Sequence, residues 1–271
     1  MPDSDQTDWD DAFANMAHVP DSEALPAIWT ARAQAYRASG VRWEEHRYGS
    51  HEREALDLIW PDGAIKGLAV FIHGGYWMRL DKSYWTDLAE GARARGWAVC
   101  MPSYTLTPEA RISQITQQIA AAINHAASLV QGPIRLSGHS AGGHLATRML
   151  CTDSSLDESV QERVEHTLSI SGLYDLRPLM QTQMNNTLKL DAAEAASESA
   201  ALLTPLKNAR LCAWVGGGER PEFIRQSKLI DCIWRGLDAR VQYAVDAMHN
   251  HFTVIDGLRE PDSDITRAFF S

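Results

Sequence analysis

The sequence predicts an α/β fold: a mostly parallel sheet of about eight strands with helices on both faces, in a single domain over residues 1–271. Three observations lead there. Short apolar runs alternate with segments of helical periodicity, which is how strands joined by crossover helices read. The runs at 67–72 and 97–101 are continuously apolar, as strands buried on both faces must be. The chemically suggestive residues all fall where a strand would end, where open α/β sheets bind their ligands.

Taken in order, residues 1–10 look loosely attached, and the first 20 are expected to be weakly ordered. Residues 24–39 read as a helix with Ala27, Ile28, Ala31 and Tyr36 on one apolar face and Gly40 at its end. It suits a wall of the site or core packing. Residues 41–48 and 55–60 read as strands, and Pro61-Asp62-Gly63 as a turn. The strand at 67–72 runs into His73-Gly74-Gly75-Tyr76-Trp77. After the strand at 97–101, Ile112, Ile115, Ile119, Ile123 and Leu129 mark a long amphipathic helix. A strand and helix around residue 140 come next, then a strand at 164–171 ending in Gly172-Leu173-Tyr174-Asp175. Residues 176–208 are helix-prone but weakly patterned, and read as a cap insertion over the site. A strand at 210–215 precedes a helix that Pro221 opens and Gly236 closes, carrying Phe223, Ile224, Ile230 and Ile233. The last strand, 239–245, leads to His249-Asn250-His251-Phe252 and a short terminal helix.

The formal net charge of −10 argues against nucleic acid and anionic membrane surfaces, which both reward positive charge. No apolar run approaches the length of a membrane span, and the acidic first eight residues lack the apolar core of a signal peptide. A small molecule is the expected partner, with a homodimer left open. The four cysteines form no C-x-x-C pair, and Cys100 and Cys212 lie in apolar runs, which suits a reducing cytoplasm and gives no support to a metal site.

Gly138-His139-Ser140-Ala141-Gly142 is G-x-S-x-G between a strand and a helix, the context of a nucleophile elbow. A serine hydroxyl needs a base. In folds with this elbow the order along the chain is Ser, acid, His. His144, His166, His249 and His251 follow Ser140. The first two lie inside a helix and a strand, which leaves the loop pair, with His251 preferred. Among the acids Glu219, just past Val215-Gly216-Gly217-Gly218, is preferred over Asp175, with Glu222 and Asp246 further alternatives. The Ala141 N–H is expected to donate to a tetrahedral oxyanion, joined by N–H groups from His73-Gly74-Gly75-Tyr76, where missing side chains let the backbone come close. A histidine pair with no third ligand at suitable spacing is not expected to bind zinc.

These residues resemble those of the α/β-hydrolases of the esterase/lipase group, and most of all the kynurenine formamidases (arylformamidases). His73-Gly74-Gly75-Tyr76-Trp77 matches their H-G-G-x-W motif. Gly138-His-Ser-Ala-Gly-Gly-His144, Ser171-Gly-Leu-Tyr-Asp-Leu176, Pro221-Glu-Phe-Ile-Arg-Gln-Ser227 and Asn250-His-Phe252 agree as well. Tyr104-Thr-Leu-Thr-Pro-Glu109 looks like the Y-R-L-x-P-E segment of related carboxylesterases, with Thr105 in place of arginine. The family acid is commonly an aspartate; here the candidate is a glutamate. The resemblance implies a Ser140-His251-Glu219 triad, an oxyanion hole from Gly75, Tyr76 and Ala141, and no metal or organic cofactor. It implies a substrate such as N-formylkynurenine, in contact with His73, Gly74, Trp77 and Tyr174. A broad carboxylesterase or thioesterase would use the same machinery. A catalytically inactive binding protein on the same fold would be expected to lack a triad member.

Overall fold

The structure is a computed structural model that describes residues 7–271. Its eight strands are β1 (Trp43–Arg47), β2 (Ala55–Ile59), β3 (Leu68–Ile72), β4 (Ala98–Pro102), β5 (Ile134–His139), β6 (Val164–Ile170), β7 (Arg210–Gly216) and β8 (Arg240–Asp246). They form one sheet in the order β1-β2-β4-β3-β5-β6-β7-β8. β1 with β2 and β2 with β4 pair antiparallel; all other neighbours run parallel. The helices are α1 (Trp9–Ala12), α2 (Leu25–Ala38), α3 (Glu90–Ala94), α4 (Ile112–Leu129), α5 (Ala141–Arg148), α6 (Glu158–Gln161), α7 (Asn185–Leu188), α8 (Ala192–Ser197), α9 (Pro221–Arg235) and α10 (Asp264–Phe269).

Side chains alternate across a strand, and the two faces of β3 show it. Leu68, Val70 and Ile72 join the core under α4 and α5, where Ile115, Ile119, Ile123 and Leu145 pack. Ala69 and Phe71 face the opposite layer, with Trp29, Leu88, Ala92, Ile265 and Phe269. Beside them Leu211, Ala213 and Val241 pack on Ile230 and Trp234 of α9. Each fully buried aliphatic or aromatic side chain contributes about 1.5–3 kcal/mol, which is why the apolar runs decide the strand positions. Leu129, expected on the buried face of α4, is 41% exposed at the helix end.

β3 lies between β4 and β5, so the chain crosses to opposite sides of it. The crevice past the carboxyl ends of β3 and β5 is therefore the switch point where ligands bind. One buried charge braces this end. Asp57 of β2 accepts from Arg37 Nη2 at 2.6 Å and from Lys82 Nζ at 2.6 Å. It thereby ties α2 and the loop after β3 to the sheet.

Two segments differ from expectation. Residues 9–18 are not loosely ordered: α1 and a 3₁₀ turn (Met16–His18) pack on the body. Phe13 is buried edge-on against Phe223, ring centroids 6.1 Å apart, and Trp9 stacks on it. Arg220 grips Asp11 and His18. Apolar anchoring here outweighs an acidic composition. The expectation for residues 1–6 lies outside the described residues. In α2 the buried residues are Trp29 and Ala33, while Ile28 is exposed. The phase of the helix follows its largest ring, which packs on Trp85 with centroids 4.7 Å apart.

Candidate active site

Ser140 and Gly142 show why the elbow needs its sequence. Ser140 has φ 57° and ψ −118°, a conformation a non-glycine residue adopts only under constraint. The constraint is visible: Ser140 N–H donates to Ile170 O at 2.8 Å, and Ser140 O accepts the first bond of α5 from His144 N–H at 3.1 Å. A Cβ on Gly142 would lie 2.0 Å from Ile72 O, so no other residue lets α5 approach β3 this closely.

Two loops hold the remaining pair. Gly217 N–H donates to Asp246 O at 2.7 Å and Gly218 N–H to His249 O at 3.0 Å, which fastens the turn after β7 to the loop after β8. Asn250 Oδ1 accepts from the N–H groups of Phe252 (2.9 Å) and Thr253 (3.1 Å), shaping the turn that presents His251. His251 Nδ1 lies 2.6 Å from Glu219 Oε2, both side chains buried. The other carboxylate oxygen accepts from Ser171 Oγ at 2.5 Å and Gly216 N–H at 2.7 Å. With Nδ1 engaged, Nε2 is the nitrogen left for proton transfer.

The alternative acids are occupied elsewhere. Asp175 pairs with Arg177 at 2.9 Å and Glu222 with Arg225 at 2.7 Å, while Asp246 caps Met248 N–H at 3.4 Å. His249 faces Thr253 Oγ1 at 3.1 Å.

Ser140 and His251 open on one cavity of about 460 Å³. Gly74, Gly75 and Tyr76 line it beside them. A Cβ on Gly74 would sit 3.1 Å from Ser140 Cβ and 2.8 Å from His139 O, which measures how closely this loop approaches the serine. Among the described residues the N–H groups of Gly75, Tyr76 and Ala141 have no backbone acceptor. Three unengaged donors beside a serine–imidazole–carboxylate arrangement suit an oxyanion.

Three residues expected to touch substrate do not line this cavity. Trp77, at φ 57°, turns under the loop, fully buried and edge-on to His144 with centroids 5.1 Å apart. Tyr174 is buried with the cluster around Trp234, its hydroxyl 2.8 Å from Ser169 Oγ. His73 stacks on Tyr104 at 4.3 Å and points Nδ1 at Gly74 O, 2.7 Å away. Burial holds His73 down at about 4, so it stays neutral. Trp77 and His73 pack in the core behind the cavity, and Tyr174 packs with the α9 cluster, because large flat rings bury more area in the core than at a cavity wall.

The walls come from residues that pattern reading passed over. Phe13, Asn15 and Met16 of the N-terminal segment, Trp29 of α2, Trp85, Phe252 and His139 line the cavity, whereas the 176–208 segment supplies Met184. His139 Nε2 faces His251 O at 2.8 Å, and burial, then the charge of His251, holds its imidazole well below the usual range. Trp9 and Phe13, one helical turn apart, were the available signal for the N-terminal wall. Nothing in the local pattern marks His139 beyond its place next to the serine.

A family described as alpha/beta hydrolase fold matches residues 69–214. The kynurenine formamidase of Salmo salar is 30% identical over 81% of this chain and 78% of its own length, and that of Danio rerio 29% over the same shares. A crystal structure from Silicibacter sp. TM1040, provisionally described as a thioesterase, superposes with a TM-score of 0.92 at 44% identity, covering 98% of this chain and all of its own. The elbow, the sheet order and these similarities converge: the chain is a hydrolase of the α/β-hydrolase family, in the group that includes the kynurenine formamidases.

Proposed function

We propose that the protein hydrolyses an aryl formamide such as N-formylkynurenine, with Ser140, His251 and Glu219 as its triad. The observation that carries this is the 2.6 Å contact between His251 and Glu219 at a largely apolar cavity that also exposes Ser140. The similarity to kynurenine formamidases supports the formamide. Ser140 Oγ attacks the formyl carbon while His251 Nε2 takes its proton. The oxyanion is held by N–H groups of Gly75, Tyr76 and Ala141. As the tetrahedral species collapses the C–N bond breaks, and His251 returns its proton to the departing aryl amine. Water, deprotonated by His251, then attacks the formyl ester and releases formate. Glu219 holds the imidazole tautomer throughout and stabilises the imidazolium. Trp29, Trp85 and Phe252 give the aryl group aromatic neighbours.

A second reading, cleavage of a carboxylic ester or thioester, is favoured by the Silicibacter structure. It requires the same residues. Among the described residues no helix is long and apolar enough to cross a membrane. The buried free thiols of Cys100, Cys151 and Cys212 support a reducing cytoplasm as the compartment. The test is product stoichiometry: equimolar amine and formate from N-formylkynurenine with the wild-type protein, and neither with Ser140→Ala. Turnover that survives Ser140→Ala would overturn the assignment.

A further inference from the structure

His139, the residue before the serine, has a ring nitrogen that the triad does not use. Its Nε2 faces His251 O at 2.8 Å, and a carbonyl oxygen only accepts, so Nε2 carries the proton. Nδ1 therefore keeps a free lone pair. Among the described residues no donor engages it. Burial, then the charge of His251, holds the ring neutral, so the acceptor persists at neutral pH. An acceptor left without a partner in an apolar wall costs free energy that a bound donor recovers.

The place of Nδ1 selects the donor. His139 lines the cavity beside Ser140, Gly74 and His251. The imidazoles of His139 and His251 are tilted by 44°, with centroids 4.7 Å apart. The point that a Cβ on Gly74 would occupy lies 3.1 Å from Ser140 Cβ and 3.4 Å from His139 Nδ1. Residue 74 has no side chain to fill that gap between the serine and the acceptor. The atom that departs from the serine adduct must come within reach of His251 Nε2, and so lies beside the second imidazole. In an amide that atom is nitrogen, and it carries a hydrogen throughout the reaction. In an ester it is oxygen, whose lone pairs meet the lone pair of Nδ1.

We propose that His139 Nδ1 accepts a hydrogen bond from the scissile N–H and thereby favours an amide over the matching ester. This rests on the formamide reading and names the residue that separates it from ester cleavage. No proton moves to His139. Ser140 Oγ bonds to the formyl carbon and gives its proton to His251 Nε2. The C–N bond then breaks as His251 Nε2 passes that proton to the nitrogen, whose original N–H stays hydrogen-bonded to Nδ1. One such bond in a largely apolar cavity discriminates by about 10- to 100-fold.

The test measures specificity constants of the full chain for phenyl formate, formanilide and N-formylkynurenine. His139→Gln keeps an N–H donor for His251 O and removes the acceptor at Nδ1. His139→Asn keeps an acceptor at the place of Nδ1 and removes the donor. In His139→Gln the amide-to-ester ratio is expected to fall about 10- to 100-fold, with phenyl formate within about 3-fold of wild type. In His139→Asn both constants should fall while the ratio holds. Amide and ester falling in step in His139→Gln, or a ratio that moves by less than about 3-fold, overturns the proposal and leaves the formamide reading standing. A test on the wild-type protein needs no variant to fold: formanilide should be cleaved at least about 10-fold better than N-methylformanilide, which lacks the N–H, and equal turnover overturns the proposal. If wild-type protein cleaves phenyl formate and neither formanilide nor N-formylkynurenine, the formamide reading itself has failed, and the role of His139 falls with it.

Discussion

Glu219→Ala removes the acceptor 2.6 Å from His251 Nδ1 and leaves Ser171 Oγ and Gly216 N–H without their partner. Two separable losses follow. The first is catalytic. Without the carboxylate the imidazole is no longer held in the Nδ1–H tautomer, and the imidazolium formed in the transition state loses its counter-charge. Triad acids of this kind are worth about 10⁴ in kcat, or about 5 kcal/mol. Because the charge on His251 develops only in the transition state, KM should change by less than about 3-fold. The second loss is stability. Buried donors left unpartnered cost about 1–3 kcal/mol each, reduced where water enters the space the side chain vacates. Glu219→Gln separates the two: it keeps the volume and an acceptor oxygen but cannot compensate the imidazolium. Its kcat should fall nearly as far as in the alanine variant, with a smaller shift in the urea midpoint. The assay is kcat and KM on a short-chain 4-nitrophenyl ester together with urea unfolding. The reasoning is refuted if Glu219→Ala keeps more than about a tenth of wild-type kcat. It is equally refuted if Asp175→Ala, which the structure engages with Arg177, is the crippling change.

Three further outcomes follow from the geometry. In Gly74→Ala the new methyl meets His139 O at 2.8 Å and must push the loop away from Ser140, so kcat should fall about 10²-fold while the melting temperature moves little; unchanged kcat would contradict the placing of the oxyanion donors. Asp57→Ala leaves the partly buried Arg37 without its carboxylate and Lys82 with Glu45 alone, and should cost about 3 kcal/mol in urea unfolding, and a loss below about 1 kcal/mol would show the pair to be marginal. Burial lowers His73 to about 4, His144 to about 3 and His166 to about 4, so the folded chain binds fewer protons than the unfolded one at mildly acidic pH. Stability is then fully present above about pH 6.5, the unfolded imidazole value, and declines as pH falls toward the folded values, by about 1 kcal/mol per histidine per pH unit inside the window. Urea midpoints at neutral and mildly acidic pH measure this, and a flat profile would contradict it.

The sheet was legible because burial on both faces leaves an unambiguous trace. All eight strands lie within two residues of where the apolar runs predict them, and the elbow lies between a strand and a helix as its glycines require. The pairing of Glu219 with His251 was legible through chain order and their places at strand ends. The cavity walls were not. Phe13 and Asn15 sit in an acidic stretch whose composition says nothing of the single ring that docks against Phe223. Trp77 and Tyr174 read as aromatic residues at strand ends, but that placement cannot tell a ring facing the cavity from one packed in the core. That distinction lies in backbone angles such as the positive φ of Tyr76 (51°) and Trp77 (57°). The phase of α2 was set by Trp29 meeting Trp85, a contact between distant segments.

The central claim is that this triad serves a formamide. The most direct measurement is the pair of specificity constants for N-formylkynurenine and a short-chain 4-nitrophenyl ester, on the same protein with Ser140→Ala as control. The account predicts a constant for the formamide well above that for the ester, with both lost in the variant. Fast ester cleavage with negligible formamide turnover would contradict it and make the protein a carboxylesterase built on the same machinery.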